Sequence, residues 1–268
     1  MRDLEHHLGA VLFERTNGGT RPTVEGQEFL EAARRIVEET EVITNRLKTR
    51  ARGESGWLTI GVHASFSAGN LRATLVEHRA RFPDVETRLV DGASDHLIGD
   101  LASSTIDIAF VAEDIPRWNG RSLSVWSERV VVALPQDHPL SNREVVHWRD
   151  LKHESLVLPQ RGPGPEFLKL LMRKLASPDP CRLIRHDISL DRALTLVSAG
   201  WGILLALEGA TGATYPGIIF REVHDADEPT RLNFRAYWRR KNSNPSLRAF
   251  LAMLRERYPD LSGDPIAG

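Results

Sequence analysis

Three places in this sequence join an apolar run to a following helical pattern through residues suited to an oxyanion. They are residues 63–67, 92–94 and 160–164. Among them they supply Ser65, Phe66, Ser94, Gln160 and Arg161, with glycines that let backbone approach a ligand closely. In α/β proteins, ligands sit beyond the carboxyl ends of strands, where helix N-termini present free N–H groups and a positive dipole end. The chemistry such joins favour is binding of a small organic anion, with Arg161 able to pair a carboxylate through two parallel hydrogen bonds. Each serine has an alternative role as a helix cap, Arg161 as a solvated loop residue, and Phe66 as a packing residue rather than a stacking one.

Catalytic patterns are missing. There is no G-x-S-x-G, H-E-x-x-H, phosphate-binding Walker loop or paired-cysteine metal spacing. Gly200-Trp201-Gly202-Ile203 has too few glycines for a dinucleotide loop and lies at a helix-to-strand junction. His224-Asp225-Ala226-Asp227-Glu228 is the densest set of metal-ligand types, but between two strands it reads as an acidic loop. No catalytic residue, resident metal or cofactor is expected. Cys181 is the only cysteine, which excludes an intrachain disulfide and fits a reducing compartment. The composition, 41% hydrophobic and 26% charged, is that of an ordinary soluble protein. A formal net charge of -1 gives no bulk support for nucleic-acid binding, so any DNA contact must be local. No apolar run approaches the roughly 18–20 residues that span a bilayer, and no secretion signal is visible. The chain is expected in the cytoplasm, away from membranes.

The elements that would carry these residues follow in order. Leu4 and Leu8 share a helical face, and Gly9 stops it. Residues 11–16 and 20–23 pair about Asn17-Gly18-Gly19, a strong turn signal. Arg15 and Arg21 flank that turn, where solvation and phosphate contact are equally open. Thr23 can cap a long helix. Along it Phe29, Ala33, Ile36, Thr40, Ile43 and Leu47 recur at spacings of four and three residues, a heptad seam too apolar for one helix to cover alone. It needs a second copy or the chain's own body, and a dimer is the favoured reading. Residues 53–56, Gly-Glu-Ser-Gly, mark a domain boundary. Strand and helix patterns then alternate, which predicts an α/β fold with a mostly parallel sheet covered on both faces. Strands are expected at 57–62, 85–90, 106–111, 123–126, 130–134, 156–158, 182–188, 203–207, 218–223 and 232–238. Ser94 and Asn244 are expected to cap helices.

The opening Arg2–Leu30 stretch resembles the end of the winged helix-turn-helix domain of LysR-type transcriptional regulators. The motif residues are Leu4-Glu5 before Leu8-Gly9, Leu12-Phe13 with Arg15, and Thr23 with Gly26. Later marks agree in order: IGV at 60–62, FPDV at 82–85, DIAF at 107–110, His138-Pro139-Leu140, VSAGWGI at 197–203 and LRAFLAML at 247–254. Arg72 and Ala206 stand where the family often has proline.

The resemblance implies a partial winged helix-turn-helix at 1–23 and a linker and dimerisation helix at 24–53. Beyond them it implies a two-lobed effector domain like a periplasmic binding protein. Lobe I would be 57–132 plus 236–258 and lobe II 133–235, with hinges near Leu134 and Arg235. It implies a homodimer or homotetramer on DNA, with Arg2, Arg15 and Arg21 on the DNA. A small effector would lie between the lobes, near Ser65, Phe66, Ser94, Gln160, Arg161, Gly202 and Ile203. Met1 falls inside the first helix, and about 35 residues of the family's DNA-reading front are expected before it. Base reading by this chain is therefore expected to be impaired. A stand-alone solute-binding protein and a partner that dimerises without reading DNA are the alternatives.

Overall fold

The computed structural model describes residues 2–16, 19–112, 115–116, 118–175 and 181–259. The Asn17-Gly18 turn, the side chain of Arg2 and the Gly- and Pro-containing tail lie outside the described residues. The chain divides into two compact units, residues 1–52 and 53–268.

The first unit is α1 (Arg2–Leu8), β1 (Phe13–Thr16), β2 (Gly19–Pro22) and α2 (Val24–Arg52). Gly9, at φ +66°, ends α1. The Glu5 carboxylate then accepts from the backbone N–H groups of Leu12, at 2.8 Å, and Phe13, at 3.2 Å, which seats the start of β1. Thr23 works in two directions. Its hydroxyl oxygen accepts from Gly26 N, at 2.9 Å, as an N-cap, while its hydroxyl donates to Val11 O at 2.6 Å. Gly26 is buried, and a Cβ there would lie 1.9 Å from the carbonyl oxygen of Leu12. The Thr-x-x-Gly pattern is thus a cap followed by a close backbone crossing. Gly26→Ala is expected to loosen this unit by about 1–3 kcal/mol, the usual cost of overpacking. Hydrogen exchange should show faster exchange across β1 and β2, and unchanged protection there would refute the crossing as a constraint.

The β1–β2 register pairs Glu14 with Arg21 and Arg15 with Thr20. Directly opposed residues share a face and successive residues alternate. Arg15 and Arg21 therefore project from opposite faces of the ribbon instead of gripping one phosphate between them.

The second unit contains β3 (Ser55–Val62), α3 (Gly69–Arg81), β4 (Asp84–Asp91), α4 (Ser94–Ala102), β5 (Ile108–Val111) and β6 (Arg121–Pro135). Then come β7 (Val145–His147), β8 (Ser155–Pro159), α5 (Gly164–Leu175), β9 (Arg182–His186), α6 (Leu190–Ser198) and β10 (Leu204–Leu207). It closes with β11 (Ile218–Asp225), β12 (Glu228–Pro229), β13 (Arg231–Trp238) and α7 (Pro245–Arg257). Asn244 caps α7 through Ser246 N at 3.0 Å.

The sheet is mixed, not mostly parallel. β3 pairs parallel with β4 and β5, but β13 is antiparallel to β5 and β6, and β6 is antiparallel to β10 and β11. The reason is topological. The chain leaves the first lobe on β6 and returns beside it on β13, so the two strands run in opposite directions. The two strands expected at 123–126 and 130–134 are one, because the polar residues Ser127, Glu128 and Arg129 remain extended. The first half of β6 pairs with β13 and the second half with β10 and β11. The change of sheet falls at Arg129–Val130, where Val130 N donates to Thr230 O at 2.8 Å. Leu134, an expected hinge, sits in a regular ladder opposite Ile219, and Arg235, the other, pairs with Ser124 just after a register shift between Phe234 and Arg235. The change of strand partner falls at 129–130 and 230–231, and residues 231–235 pair with the first half of β6.

The first lobe is β4-β3-β5-β13-β6 with α3, α4 and α7 around it. Its core is centred on Ile60, Phe110 and Phe250, all fully buried, with Phe110 and Phe250 edge to face at 6.1 Å. The second lobe carries α6 over Val131, Val157 and Leu204. Cys181 is a buried thiol packed in the core. Among the described residues no helix is long and apolar enough to cross a membrane, and no group of His, Cys, Asp and Glu could hold a metal ion. The 224–228 segment is a tight hairpin, with Asp225 opposite Glu228.

Candidate functional site

A cavity of about 550 Å³ opens between the lobes. The first lobe contributes the β3–α3 loop from His63 to Ser67, Arg72 of α3, and Asp91 at the end of β4. The second contributes Gly162 and Pro163 before α5, residues 189–191 at the start of α6, and Tyr215. Strand ends and helix starts from both lobes thus face one space, as the α/β binding rule requires.

Ser65 accepts from Ser67 N at 3.3 Å and does not cap α3, whose N-cap is Ala68 without a side-chain bond. Ser67 donates its hydroxyl to Gly209 O at 2.7 Å, and Ala68 N donates to the same oxygen at 2.9 Å. These bonds tie the β3–α3 loop to the second lobe behind the cavity. Phe66 is half exposed on the wall, so its ring is available for contact.

Ser94 differs from expectation. Ala93 is the N-cap of α4, and Ser94 is its first residue, buried, 3.3 Å from His63 Nδ1. It does not line the cavity but supports a residue that does. His63 is fully buried and its Nε2 accepts from Ala112 N at 3.3 Å, which places the proton on Nδ1 and directs it to Ser94. Burial pushes the His63 pKa down to about 3, so it is neutral at pH 7. Glu166 Oε2 of α5 stands 4.0 Å from Nδ1, across the lobes.

The electrostatics of the cavity come from Arg72, Asp91 and Asp191. Burial raises the Asp91 pKa. The Gly92 N–H opposes this, the charge of Asp191 adds to it, and the charge of Arg161 opposes it. Tyr215 donates its hydroxyl to Asp191 Oδ1 at 2.6 Å, and burial together with that carboxylate pushes the phenol up to about 12.

Other expected site residues lie elsewhere. Arg161 pairs with Asp187 at 2.9 Å, both largely exposed, and does not line the cavity. Gln160 is exposed, its N–H donating to His186 O. Gly202 and Ile203 stitch the second lobe. Gly202, at φ +149°, lies so close to Ser155 that a Cβ would be 2.3 Å from its carbonyl oxygen. Ile203 N donates to that oxygen at 2.8 Å. Neither residue lines the cavity. Asp91, Ser189, Asp191 and Tyr215 went unread, although Ser189 and Asp191 before the apolar run of α6 carry the composition of a helix start.

Along α2, Ile36, Ile43 and Leu47 are 64%, 56% and 63% exposed, while Phe29 and Ala33 are half-buried. Thr40 turns its hydroxyl back to Ile36 O at 2.7 Å, which leaves its methyl to the seam.

Comparison with known proteins adds the following. The family model of the LysR substrate binding domain matches residues 51–259. The HTH-type transcriptional regulator TtuA of Agrobacterium vitis is 30% identical over 222 residues, 79% of this chain and 73% of its own length. The regulator ClcR of Pseudomonas putida is 28% identical over 94% of this chain and 85% of its own. In fold, the crystal structure of CbnR, a LysR family transcriptional regulator, superposes with a TM-score of 0.81 at 22% identity, covering 95% of this chain and 88% of that one. Full-length CbnR complexed with its target DNA superposes with a TM-score of 0.77 at 23% identity, covering 96% and 87%. These relatives are transcriptional regulators, not enzymes.

Proposed function

Since the chain belongs to the LysR-type transcriptional regulators, we propose that it controls transcription through a small organic acid bound between its two lobes. The observation that carries this reading is the inter-lobe cavity, where the β3–α3 loop, the start of α6 and Arg72 converge. Backbone N–H groups at those helix starts and the Arg72 guanidinium suit a carboxylate. Asp91 and Asp191 suit a hydroxyl or amine elsewhere on the same molecule, so a bare acid is a poorer fit than a functionalised one. Ser65 and Phe66 take the wall of the site, and Ser94 acts through His63.

The protein works as a dimer or a dimer of dimers in the cytoplasm. The seam Phe29, Ala33, Ile36, Thr40, Ile43 and Leu47 pairs with a second copy, and Arg2, Arg15 and Arg21 meet DNA phosphates. On the ribbon, Arg15 and Arg21 address different phosphates. A free-standing solute-binding role does not call for such a seam.

A thermal-shift panel of aliphatic and aromatic acids tests the proposal. Hydroxy or amino acids should raise the melting temperature, and Arg72→Ala should weaken the responding acid at least tenfold, the scale of one charge-assisted pair. Stabilisation by neutral or cationic compounds alone would reject the acid.

A further inference from the structure

A second cavity, of about 750 Å³, lies against β6, β13 and α5 and has no part in the reading above. We propose that it is a separate binding site for a small multivalent oxyanion that also carries a hydroxyl donor, of the phosphate or hydroxy-tricarboxylate kind.

Its walls come from both lobes. On β13, Arg231 and Arg235 recur at even spacing and so share one face of the sheet. Two serines of β6 hold these guanidinium groups. Arg231 Nη1 donates to Ser127 Oγ at 3.3 Å, and Arg235 Nη2 donates to Ser122 Oγ at 3.0 Å. On α5, Lys169 and Arg173 are four residues apart and share one helical face. All four cations line the same cavity.

The one carboxylate among the described lining residues adds the second requirement. Glu166, one turn before Lys169, is only 5% exposed, and its Oε2 has no hydrogen-bond partner. His63 Nδ1 is 4.0 Å away, and that imidazole is neutral. A buried acceptor in this state is costly and is relieved by a donor from the ligand. Charge on both walls selects a multivalent anion, and Glu166 selects one with an O–H group. Because α5 and β13 belong to different lobes, such an anion would clamp them together through residues that the 550 Å³ cavity does not share.

Calorimetric titration of the full chain at constant ionic strength, with citrate and with inorganic pyrophosphate as probes, tests this. One saturable site per chain is expected for at least one probe. It should weaken at least tenfold in the Arg173→Ala/Arg231→Ala double variant and remain unchanged in Arg72→Ala. Both replaced residues are exposed, and circular dichroism verifies that the variant is folded. Citrate alone identifies a tricarboxylate site and pyrophosphate alone a phosphate site, and either supports the proposal. No saturable binding of either probe, binding indifferent to the double variant, or binding lost in Arg72→Ala overturns it.

Discussion

Replacing Ile36 and Ile43 together by glutamate is expected to lower the molar mass measured by light scattering to that of a single chain, or to break a tetramer into smaller species. Both isoleucines lie on the same stripe of α2, one heptad apart, and more than half of each is exposed in the single chain. A 29-residue helix is about 43 Å long at 1.5 Å per residue, and it cannot bend round to cover its own stripe. Full burial of an isoleucine is worth about 2 kcal/mol. The double substitution removes that gain four times in a pair of helices and places four carboxylates in an apolar seam. Loss on this scale exceeds the whole free energy of a micromolar dimer, about 8 kcal/mol, once the charge burial is included. An unchanged mass would show that the interface lies elsewhere.

The second large effect concerns pH. Glu128 is 1% exposed, and burial lifts its pKa from 4.5 to about 7. Hydrogen bonds from Trp126 Nε1, at 3.0 Å, and Gly209 N, at 3.3 Å, act against that lift, and the charge of Glu208 acts with it. A carboxyl whose pKa is higher folded than unfolded gives stability that is fully present below pH 4.5 and lost as pH rises through about 7. The loss is about 3 kcal/mol at pH 8, at 1.36 kcal/mol per pH unit. His63 and His78 act in the opposite sense. Burial lowers them to about 3 and about 4, so they remove stability as pH falls below 6.5. Total stability therefore need not rise in acid. Glu128→Gln keeps an acceptor for one of the two donors, Trp126 Nε1 or Gly209 N, and abolishes the titration, while both histidines remain; the lost bond lowers stability equally at every pH. The melting temperature of the variant relative to the natural protein should climb by several degrees between pH 5 and pH 8. A difference that is flat with pH would mean that Glu128 is ionised throughout.

How much of this was readable beforehand depends on whether the cause is local. The α2 helix, its Thr23 cap and the Asn244 cap are written in nearest-neighbour chemistry, and they stand where the pattern put them. The position of Ser65 and Phe66 on the cavity wall was legible for the same reason, since a loop between β3 and α3 must lie at the strand's carboxyl end. The continuity of β6 was not. Ser127-Glu128-Arg129 looks like a break in an apolar strand, and only distant partners make it tolerable. Glu128 is held by Trp126 and Gly209, and Arg129 by Glu208 and Glu222. The pairing of Arg161 was not legible either. It has the right chemistry at the right kind of join, yet Asp187, on a different strand-to-helix loop, takes its guanidinium. Asp91, Asp191 and Tyr215 line one cavity only because two lobes face each other, which no window of sequence contains.

The place where Val130 meets Thr230 also has a bearing on how this chain assembles. β13 takes its place between β5 and β6 only after the whole second lobe has been traversed, so the first sheet is split until that excursion closes. Closing a long loop is an entropic cost met before the non-local strand pairing compensates it. The second lobe, whose own chain is continuous, is the part able to form early and bring residues 130 and 230 together. A ribosome that has released only the first 230 residues therefore holds a first lobe without the strand that joins β5 to β6. During synthesis, β5 and the first half of β6 wait as open edges for a partner that arrives last.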